Sequence, residues 1–291
     1  MLDKLRNVSL KTWLITMVAT VFLIASGVVG YAYLTHHGGK IEDTFTWVDG
    51  KKHEGQKPIA NAQSKEVSDV EKKNKEDQPY LHEKLSNLKG TNNEAVGFVY
   101  IPGSKLEEPI VQGTDNETYL TRTFEGANVP FLGSVFLDAN NNRSFGDRLT
   151  WLFGHARGSK VGDHRMFNDV NYYADQNYLN THKYVVVETN DRKLYYEVAF
   201  MTIVPEETSF YRTEFIDDID FQEQLDALRG QARTVNNNVK LDAKDKYLVL
   251  STCREEDDTL RANVYCRLIP DDELMSVLEA QGSALDYKPT R

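Results

Sequence analysis

One short stretch of the chain, residues 249–268, combines residue types that could carry out nucleophilic chemistry. It reads VLSTCREEDDTLRANVYCRL and places Cys253 at the end of an apolar, strand-like run. After an acidic loop, Arg261 opens a second strand-like run. A cysteine thiolate can attack a carbonyl carbon, and a guanidinium supplies a positive charge that is not lost by deprotonation. If the two runs pair as a hairpin, Cys253 and Arg261 lie side by side.

A cysteine nucleophile usually works with a histidine that transfers protons, and His155 is the best placed of the seven histidines. It lies in WLFGHARG, where a strand-like run ends and Gly154 allows a close backbone approach. The other six histidines lie near the apolar N-terminal run, in polar segments or at the start of a strand. His155 is therefore the candidate proton carrier. A histidine that only hydrogen-bonds at a strand end is at least as common and stays an alternative.

The second cysteine, Cys266, has a different predicted role. It follows Arg261 by five residues, and the side chains of a regular strand alternate between its two faces. Cys266 then points away from Arg261 and is predicted to be a core cysteine rather than a disulfide partner of Cys253. The sequence contains no C-x-x-C pair and no H-x-x-x-H spacing, so we expect no metal site and no cofactor.

The elements that must position these candidates are eight short apolar runs separated by turn signals. Such a series of strands predicts a β-barrel or a β-sandwich. The sequence between the fifth and sixth runs, NDRK, predicts a hairpin. The runs are AVGFVYI, EPIVQG, GSVFLDA, LTWLFGH, KYVVVET, KLYYEVAFMTIV, KYLVLSTC and RANVYCRLI.

Three further stretches have helical patterns. PYLHEKLSNLKG begins with Pro79 and precedes the first strand. DDIDFQEQLDALRG interrupts the strands, and its spacing places Ile219, Leu225 and Leu228 near one helix face. DDELMSVLEAQG follows the last strand and predicts a C-terminal helix.

Charge and the N-terminus indicate where the protein acts. The formal net charge of −10 argues against nonspecific binding to nucleic acid. Residues 13–34 carry no charge and are long enough to cross a bilayer as a helix. Lys4, Arg6 and Lys11 precede this run, so the positive-inside rule predicts a single-pass anchor with a cytoplasmic N-terminus and an extracellular remainder. A cleaved signal peptide is the alternative.

These features divide the chain into five predicted segments. The polar stretch after the apolar run has nothing from which to build a core, so it is predicted to be a stalk that is partly helical near residues 63–75. The strands follow it and form the predicted catalytic domain. The segments are a cytoplasmic N-terminus at 1–12, a transmembrane anchor at 13–34, a polar stalk at 35–78, a catalytic domain at 79–270 and a C-terminal tail, predicted to be helical, at 271–291.

The order and spacing of these motifs resemble the sortases, which are membrane-anchored cysteine transpeptidases of Gram-positive bacteria, and the class B type in particular. The resemblance covers about residues 80–270. It includes LSTC with a following arginine and an upstream GH at a strand end. It extends to EAVGFVYIPGSKLEEPIVQGTDNETYL, GSVFLDANNNRSFGDRLTWLFGHARG, MFNDVNYY and SFYRTEFIDDIDFQEQLDALRGQA.

The resemblance implies an eight-stranded β-barrel with a helix inserted between strands 6 and 7. It implies that Cys253 attacks the Thr–Gly bond of a C-terminal sorting signal and forms a thioacyl enzyme. His155 would act as the acid for the leaving amine and the base for the incoming one. Arg261 would hold the substrate backbone and stabilise the oxyanion. The residues that the resemblance assigns to the substrate groove are Asn116, Leu120, Tyr211, Ser251 and Thr252.

The implied partners are surface proteins or pilins that bear a sorting signal, together with an amine acceptor. The acceptor is either a peptidoglycan precursor or a pilin lysine, and the sequence leaves both open. Two other functions are alternatives. A cysteine protease would pass the same acyl group to water. A non-catalytic anchored binding domain would keep the barrel, but it is expected to lack one of Cys253, His155 and Arg261, and all three are present.

Overall fold

The computed structural model describes residues 60–156, 165–206, 210–254 and 256–290. The predicted cytoplasmic segment 1–12 and the predicted membrane anchor 13–34 lie outside these ranges. No helix within the described ranges combines the length and the apolar character needed to cross a membrane.

Eight strands close into a β-barrel. Hydrogen bonds join them in the order β5–β1–β2–β3–β4–β8–β9–β6, and β6 pairs back to β5. The short strand β7 extends the sheet from β6. The predicted eight-stranded barrel and the predicted hairpin between β5 and β6 are confirmed. The strands are β1 Ala95–Tyr100, β2 Glu107–Val111, β3 Val135–Leu137, β4 Leu149–Phe153, β5 Tyr184–Glu188, β6 Lys193–Pro205, β7 Thr234–Val235, β8 Tyr247–Cys253 and β9 Leu260–Leu268.

Alternating apolar side chains build the interior of the barrel. Val99, Leu152 and Val264 are fully buried members of the cluster that fills it. Two strand pairs matter for function, because β4 runs parallel to β8 and β8 runs antiparallel to β9. Parallel strands end at the same edge of a sheet. The residues that follow β4 and β8 therefore meet at one rim of the barrel.

Helix α3, Asp218–Gly230, covers part of the outer barrel surface and is the helix predicted between strands 6 and 7. Its buried residues Phe221, Leu225 and Leu228 pack on aromatic residues of the outer barrel face. Asp217 caps the first turn with a carboxylate that accepts hydrogen bonds from two backbone N–H groups. Ile219 was predicted on the buried face but is 70% exposed, because it lies about two and a half turns before Leu228. The helices of the described residues are α1 Ala60–Thr91, α2 Gln176–Thr181, α3 Asp218–Gly230 and α4 Asp271–Gln281.

Helix α1 joins the helical part predicted near residues 63–75 to the helix predicted from Pro79. It begins at Ala60 rather than Pro79, and Pro79 lies inside it. A proline removes one backbone hydrogen bond from a helix. Val70 before the proline and Leu81 after it are both buried, so packing holds the two halves of the helix in place. The last part of the predicted stalk is therefore helical.

The segment after the last strand packs against the barrel. Helix α4, which is the predicted C-terminal helix, contacts α1. Leu274 and Leu285 are buried in one cluster with Tyr100, and the Tyr100 hydroxyl donates a hydrogen bond to the Leu285 carbonyl at 2.9 Å. Close to the C-terminus, the backbone N–H of Thr290 donates to Oε1 of Glu107 at 3.0 Å. The C-terminal residues thus form part of the folded structure.

Candidate active site

Cys253 and Arg261 lie directly opposite each other on neighbouring strands. Cys253 is the last residue of β8, Arg261 is the second residue of β9, and the antiparallel register pairs the two. The side chains of directly opposed residues point to the same face of a sheet. Both therefore lie on the outer face at the barrel rim, and the hairpin predicted from the sequence is confirmed.

His155 reaches the same rim from strand β4. In the parallel pair of β4 and β8, Phe153 is level with Ser251. The next residue, Gly154, donates its N–H to the Ser251 carbonyl at 3.2 Å. His155 is the next residue, so it lies level with Cys253, the last residue of β8. The structure thus brings the three predicted catalytic residues to one place.

A backbone carbonyl orients the imidazole of His155. Its Nε2 lies 2.7 Å from the carbonyl oxygen of Leu120, the last residue of the 3₁₀ helix Thr118–Leu120. A carbonyl oxygen can only accept a hydrogen bond, so Nε2 carries the proton. In the neutral ring, Nδ1 is then the nitrogen that can take up a proton.

Fixed acceptors hold the guanidinium of Arg261. Its Nη1 donates to the carbonyl oxygens of Asp258 at 2.7 Å and Leu260 at 3.2 Å. Its Nη2 forms an ion pair with Glu206, which lies just past the end of β6. The Arg261 side chain is 22% exposed, whereas that of Glu206 is 60% exposed. The guanidinium is therefore held at the rim by three acceptors, two at Nη1 and one at Nη2.

A groove of about 330 Å³ begins beside this rim. Trp151 and Phe153 form an aromatic wall, with ring centroids 6.0 Å apart and an angle of 11° between their planes. Tyr211, from the segment between β6 and α3, packs edge-on against Trp151. The lining residues are Asn116, Trp151, Phe153, Val204, Pro205, Glu206, Tyr211, Ser251, Arg261 and Asn263.

Three of the five predicted groove residues, Asn116, Tyr211 and Ser251, line the groove. The structure does not bring the other two into that lining. Leu120 is 41% exposed and uses its carbonyl to bind the histidine. Thr252 points to the opposite face of β8 from Ser251, toward the barrel interior, and is 3% exposed. The Thr252 side chain therefore does not reach the groove.

A buried carboxylate that the sequence analysis missed connects two of the groove residues. Asp138 directly follows β3, is fully buried, and accepts hydrogen bonds from the Tyr211 hydroxyl and from Nδ2 of Asn116. Asn116 also accepts a hydrogen bond from the Ala139 N–H at 2.8 Å. Burial and the hydrogen bond to Asp138 raise the pKa of Tyr211 well above its usual range. The Tyr211 hydroxyl thus stays protonated and donates to Asp138.

A second missed contact holds the backbone of the candidate nucleophile. Asn171, in the 3₁₀ helix Asn168–Ala174, donates from Nδ2 to the Cys253 carbonyl at 3.1 Å. Arg254 donates to the Asn171 carbonyl and pairs with Glu256. These residues come together across separate loops, so no spacing in the sequence indicates them.

Cys266 faces the barrel interior and is fully buried, which raises the pKa of its thiol far above the usual range. A thiol in this environment stays protonated and is not a nucleophile. Both cysteines of the chain are described, and neither forms a disulfide. The prediction of a core cysteine is confirmed. Across the described ranges, no group of three or more His, Cys, Asp or Glu residues could hold a metal ion.

The fold and the site together define a class of protein. A closed barrel carries a cysteine at its rim, an arginine opposite the cysteine and a histidine at the same level. A groove with an aromatic wall lies beside this rim and has the arginine in its lining. Such an arrangement suits a cysteine enzyme that attacks a carbonyl group and passes on the acyl group.

Comparison with known proteins agrees with this class. Residues 99–269 match the Sortase domain family. Sortase B of Listeria monocytogenes is 31% identical over 180 residues, which are 61% of this chain and 70% of that protein. Sortase B of Staphylococcus aureus is 28% identical over 194 residues, which are 66% of this chain and 77% of that protein. A solved Staphylococcus aureus sortase B–substrate complex has a TM-score of 0.59 at 27% identity, covering 72% of this chain and 98% of that one.

The chain belongs to the sortase family. Its relatives are class B enzymes, and it is accordingly a class B-like cysteine transpeptidase that cleaves sorting signals.

Proposed function

We propose that the enzyme cleaves a Thr–Gly-type bond in a C-terminal sorting signal, with Cys253, His155 and Arg261 as its catalytic residues. The Cys253 thiolate attacks the threonyl carbonyl carbon, so that an S–C bond forms and the C–N bond breaks. Protonated His155 gives its proton to the leaving amine. A second amine then attacks the thioester carbonyl and gives a proton to His155, and the Cys253 sulfur leaves as the thiolate.

The observation that carries this proposal is the common level of the three side chains on three neighbouring strands, β4, β8 and β9. The strand register pairs Cys253 with Arg261. Two backbone carbonyls accept hydrogen bonds from Nη1 of the arginine, and Glu206 forms an ion pair with its Nη2. Within the described structure, this leaves N–H groups on Nε and Nη2 for a substrate carbonyl or its oxyanion.

The groove is the proposed binding site for the sorting signal. Trp151 and Phe153 offer flat apolar surfaces on which signal residues can pack. Asn116 and Ser251 offer polar groups to an extended peptide backbone, and Tyr211 narrows the groove from the side of α3. A peptide lying along these residues would have its scissile carbonyl near the rim.

The proposed location is the outer surface of the cell membrane. The uncharged run at 13–34 and the basic residues before it support a single-pass anchor with the barrel outside. An anchored enzyme would meet surface proteins or pilins that are themselves held at the membrane by their sorting signals. The second amine would come from a peptidoglycan precursor or from a pilin lysine.

The test incubates the full chain with peptides that contain a Thr–Gly bond, with and without an oligoglycine or a lysine peptide as acceptor. Mass spectrometry follows the thioacyl adduct and the transfer product. Cys253→Ala should abolish the adduct, and the matched variant Cys266→Ala should retain it. An adduct or turnover in Cys253→Ala would refute the proposal. If saturating amines yield only the hydrolysed peptide, the enzyme is a cysteine protease.

A further inference from the structure

We propose that Glu206 is a positioning residue that holds the guanidinium of Arg261 for catalysis. The inference rests on the proposed role of Arg261 at the oxyanion, and it adds a residue that makes this role possible. Glu206 lies in the groove lining beside Arg261 and forms an ion pair with its Nη2.

Backbone hydrogen bonds to the neighbouring segment of the chain fix the position of Glu206. Strand β6 pairs with β9 up to Pro205, which is opposite Leu260. The N–H of Glu206 then donates to the Thr259 carbonyl at 2.9 Å, so the pairing continues one residue past the strand. Val204 is directly opposite Arg261. Glu206, two residues further along, points to the same face and is the diagonal neighbour of Arg261.

The other contacts of Arg261 are not sufficient to fix the orientation of its guanidinium. Both carbonyl acceptors bind Nη1, and they come from Asp258 and Leu260 on the same segment of chain. Hydrogen bonds at one nitrogen allow the group to rotate about that point. The carboxylate of Glu206 binds Nη2 from a different strand, so it sets the orientation of the guanidinium plane.

In the acidic loop before β9, the carboxylates of Glu256 and Asp257 are engaged with other residues. The carboxylate of Glu256 pairs with Arg254. Oδ1 of Asp257 accepts hydrogen bonds from the N–H and the hydroxyl of Thr259. Among the described residues of the groove lining, Glu206 is the sole acidic residue and Arg261 the sole basic one. Within that lining, Arg261 is therefore paired with a single carboxylate.

The experiment compares Glu206→Gln and Glu206→Asp in the full chain, with Glu223→Gln as a charge-matched control on the exposed surface of α3. The rate of thioacyl formation is measured over a range of peptide concentrations. Glu206→Gln should lower kcat by about 10-fold and change KM by less than about 2-fold, because an orienting contact acts in the transition state. Glu206→Asp should recover part of the loss. Glu223→Gln should match the wild type.

A double-mutant cycle separates positioning from a general structural role. In an Arg261→Lys background, Glu206→Gln should have almost no further effect, because the group that Glu206 orients is gone. An equal loss in both backgrounds would overturn the inference. The inference would also be overturned if Glu206→Gln were as active as the wild type or if only KM changed. A more active Glu206→Gln would overturn it as well, because that result is expected when the ion pair competes with substrate for the arginine.

The two proposals fail in different ways. If the wild-type enzyme forms no thioacyl adduct, or if Arg261→Lys is fully active, the proposed function of the catalytic residues is wrong. If the wild type is active and Arg261→Lys is impaired but Glu206→Gln is not, only the role of Glu206 is wrong.

Discussion

Replacing Gly133 by alanine should weaken both the fold and the transfer reaction. Gly133 lies shortly before β3 with a φ angle of +55°, in the left-handed region. A Cβ atom at this position would lie 2.3 Å from the carbonyl oxygen of Tyr119 and 2.7 Å from that of Leu120. The Leu120 carbonyl is the acceptor that orients His155 at 2.7 Å. The added methyl group therefore pushes on the carbonyl that orients His155, the proposed catalytic histidine.

The expected loss of stability has two parts. The left-handed conformation costs a residue with a Cβ about 1–2 kcal/mol. Relief of the contacts with Tyr119 and Leu120 requires a backbone shift, and a total loss of about 2–3 kcal/mol falls within the usual range of destabilising substitutions. For a domain of this size, that loss lowers Tm by about 5–10 °C. A displacement of His155 by about 1 Å can lower the rate by about 10²-fold.

Gly126→Ala is the matched control. Gly126 also has a positive φ angle, +89°, but a Cβ there would meet nothing within 4 Å. Gly126→Ala should lower Tm by about 3–6 °C from conformational strain alone and leave kcat unchanged. Thermal unfolding and thioacyl formation are measured for both variants, the latter well below both Tm values. A Gly133→Ala enzyme with wild-type kcat, or with no larger Tm loss than Gly126→Ala, would refute this reasoning.

Three more predictions concern single side chains. Cys266→Ala should cost about 1–3 kcal/mol in denaturant unfolding and keep thioacyl formation, since its thiol is buried away from the rim; a folded but inactive variant would contradict this. Arg261→Lys should reduce kcat by about 10²–10³-fold, because an ammonium cannot reproduce the directed hydrogen bonds of a guanidinium. A kcat near that of the wild type would mean that Arg261 contributes only its positive charge. Asp138→Asn should raise the KM for the peptide by about 10-fold and retain kcat, because the hydrogen bonds to Tyr211 and Asn116 become weaker. An unchanged KM would show that these hydrogen bonds do not contribute to peptide binding.

Local pattern was sufficient to predict the barrel and the meeting of Cys253, Arg261 and His155 at one rim. Each strand has apolar side chains bounded by turn residues, and these signals lie within a few residues of each other. Cys253 and Arg261 share one hairpin, so their pairing follows from local sequence. His155 could be selected because a strand ends there beside a glycine. Alternation also separates Thr252 from Ser251, so the sequence already contained the reason why Thr252 does not reach the groove.

The residues that were missed depend on contacts between distant segments. Glu206 meets Arg261 because β6 pairs with β9, and Asp138 meets Tyr211 because a loop folds back over the groove. The sequence around an acidic residue that follows a strand does not indicate which distant residue it will contact. Ile219 is a different kind of error, because its spacing from Leu228 already placed it on the opposite helix face.

The packing of the C-terminal segment limits how far the chain can be truncated for biochemical work. The family match ends at residue 269, yet Leu274 and Leu285 cover Tyr100 and other aromatic residues of the barrel surface. A chain truncated at that limit would expose this apolar patch to water, and patches of this kind promote aggregation. A shortened enzyme that stays monodisperse in the test tube should therefore retain α1 and the residues up to Thr290.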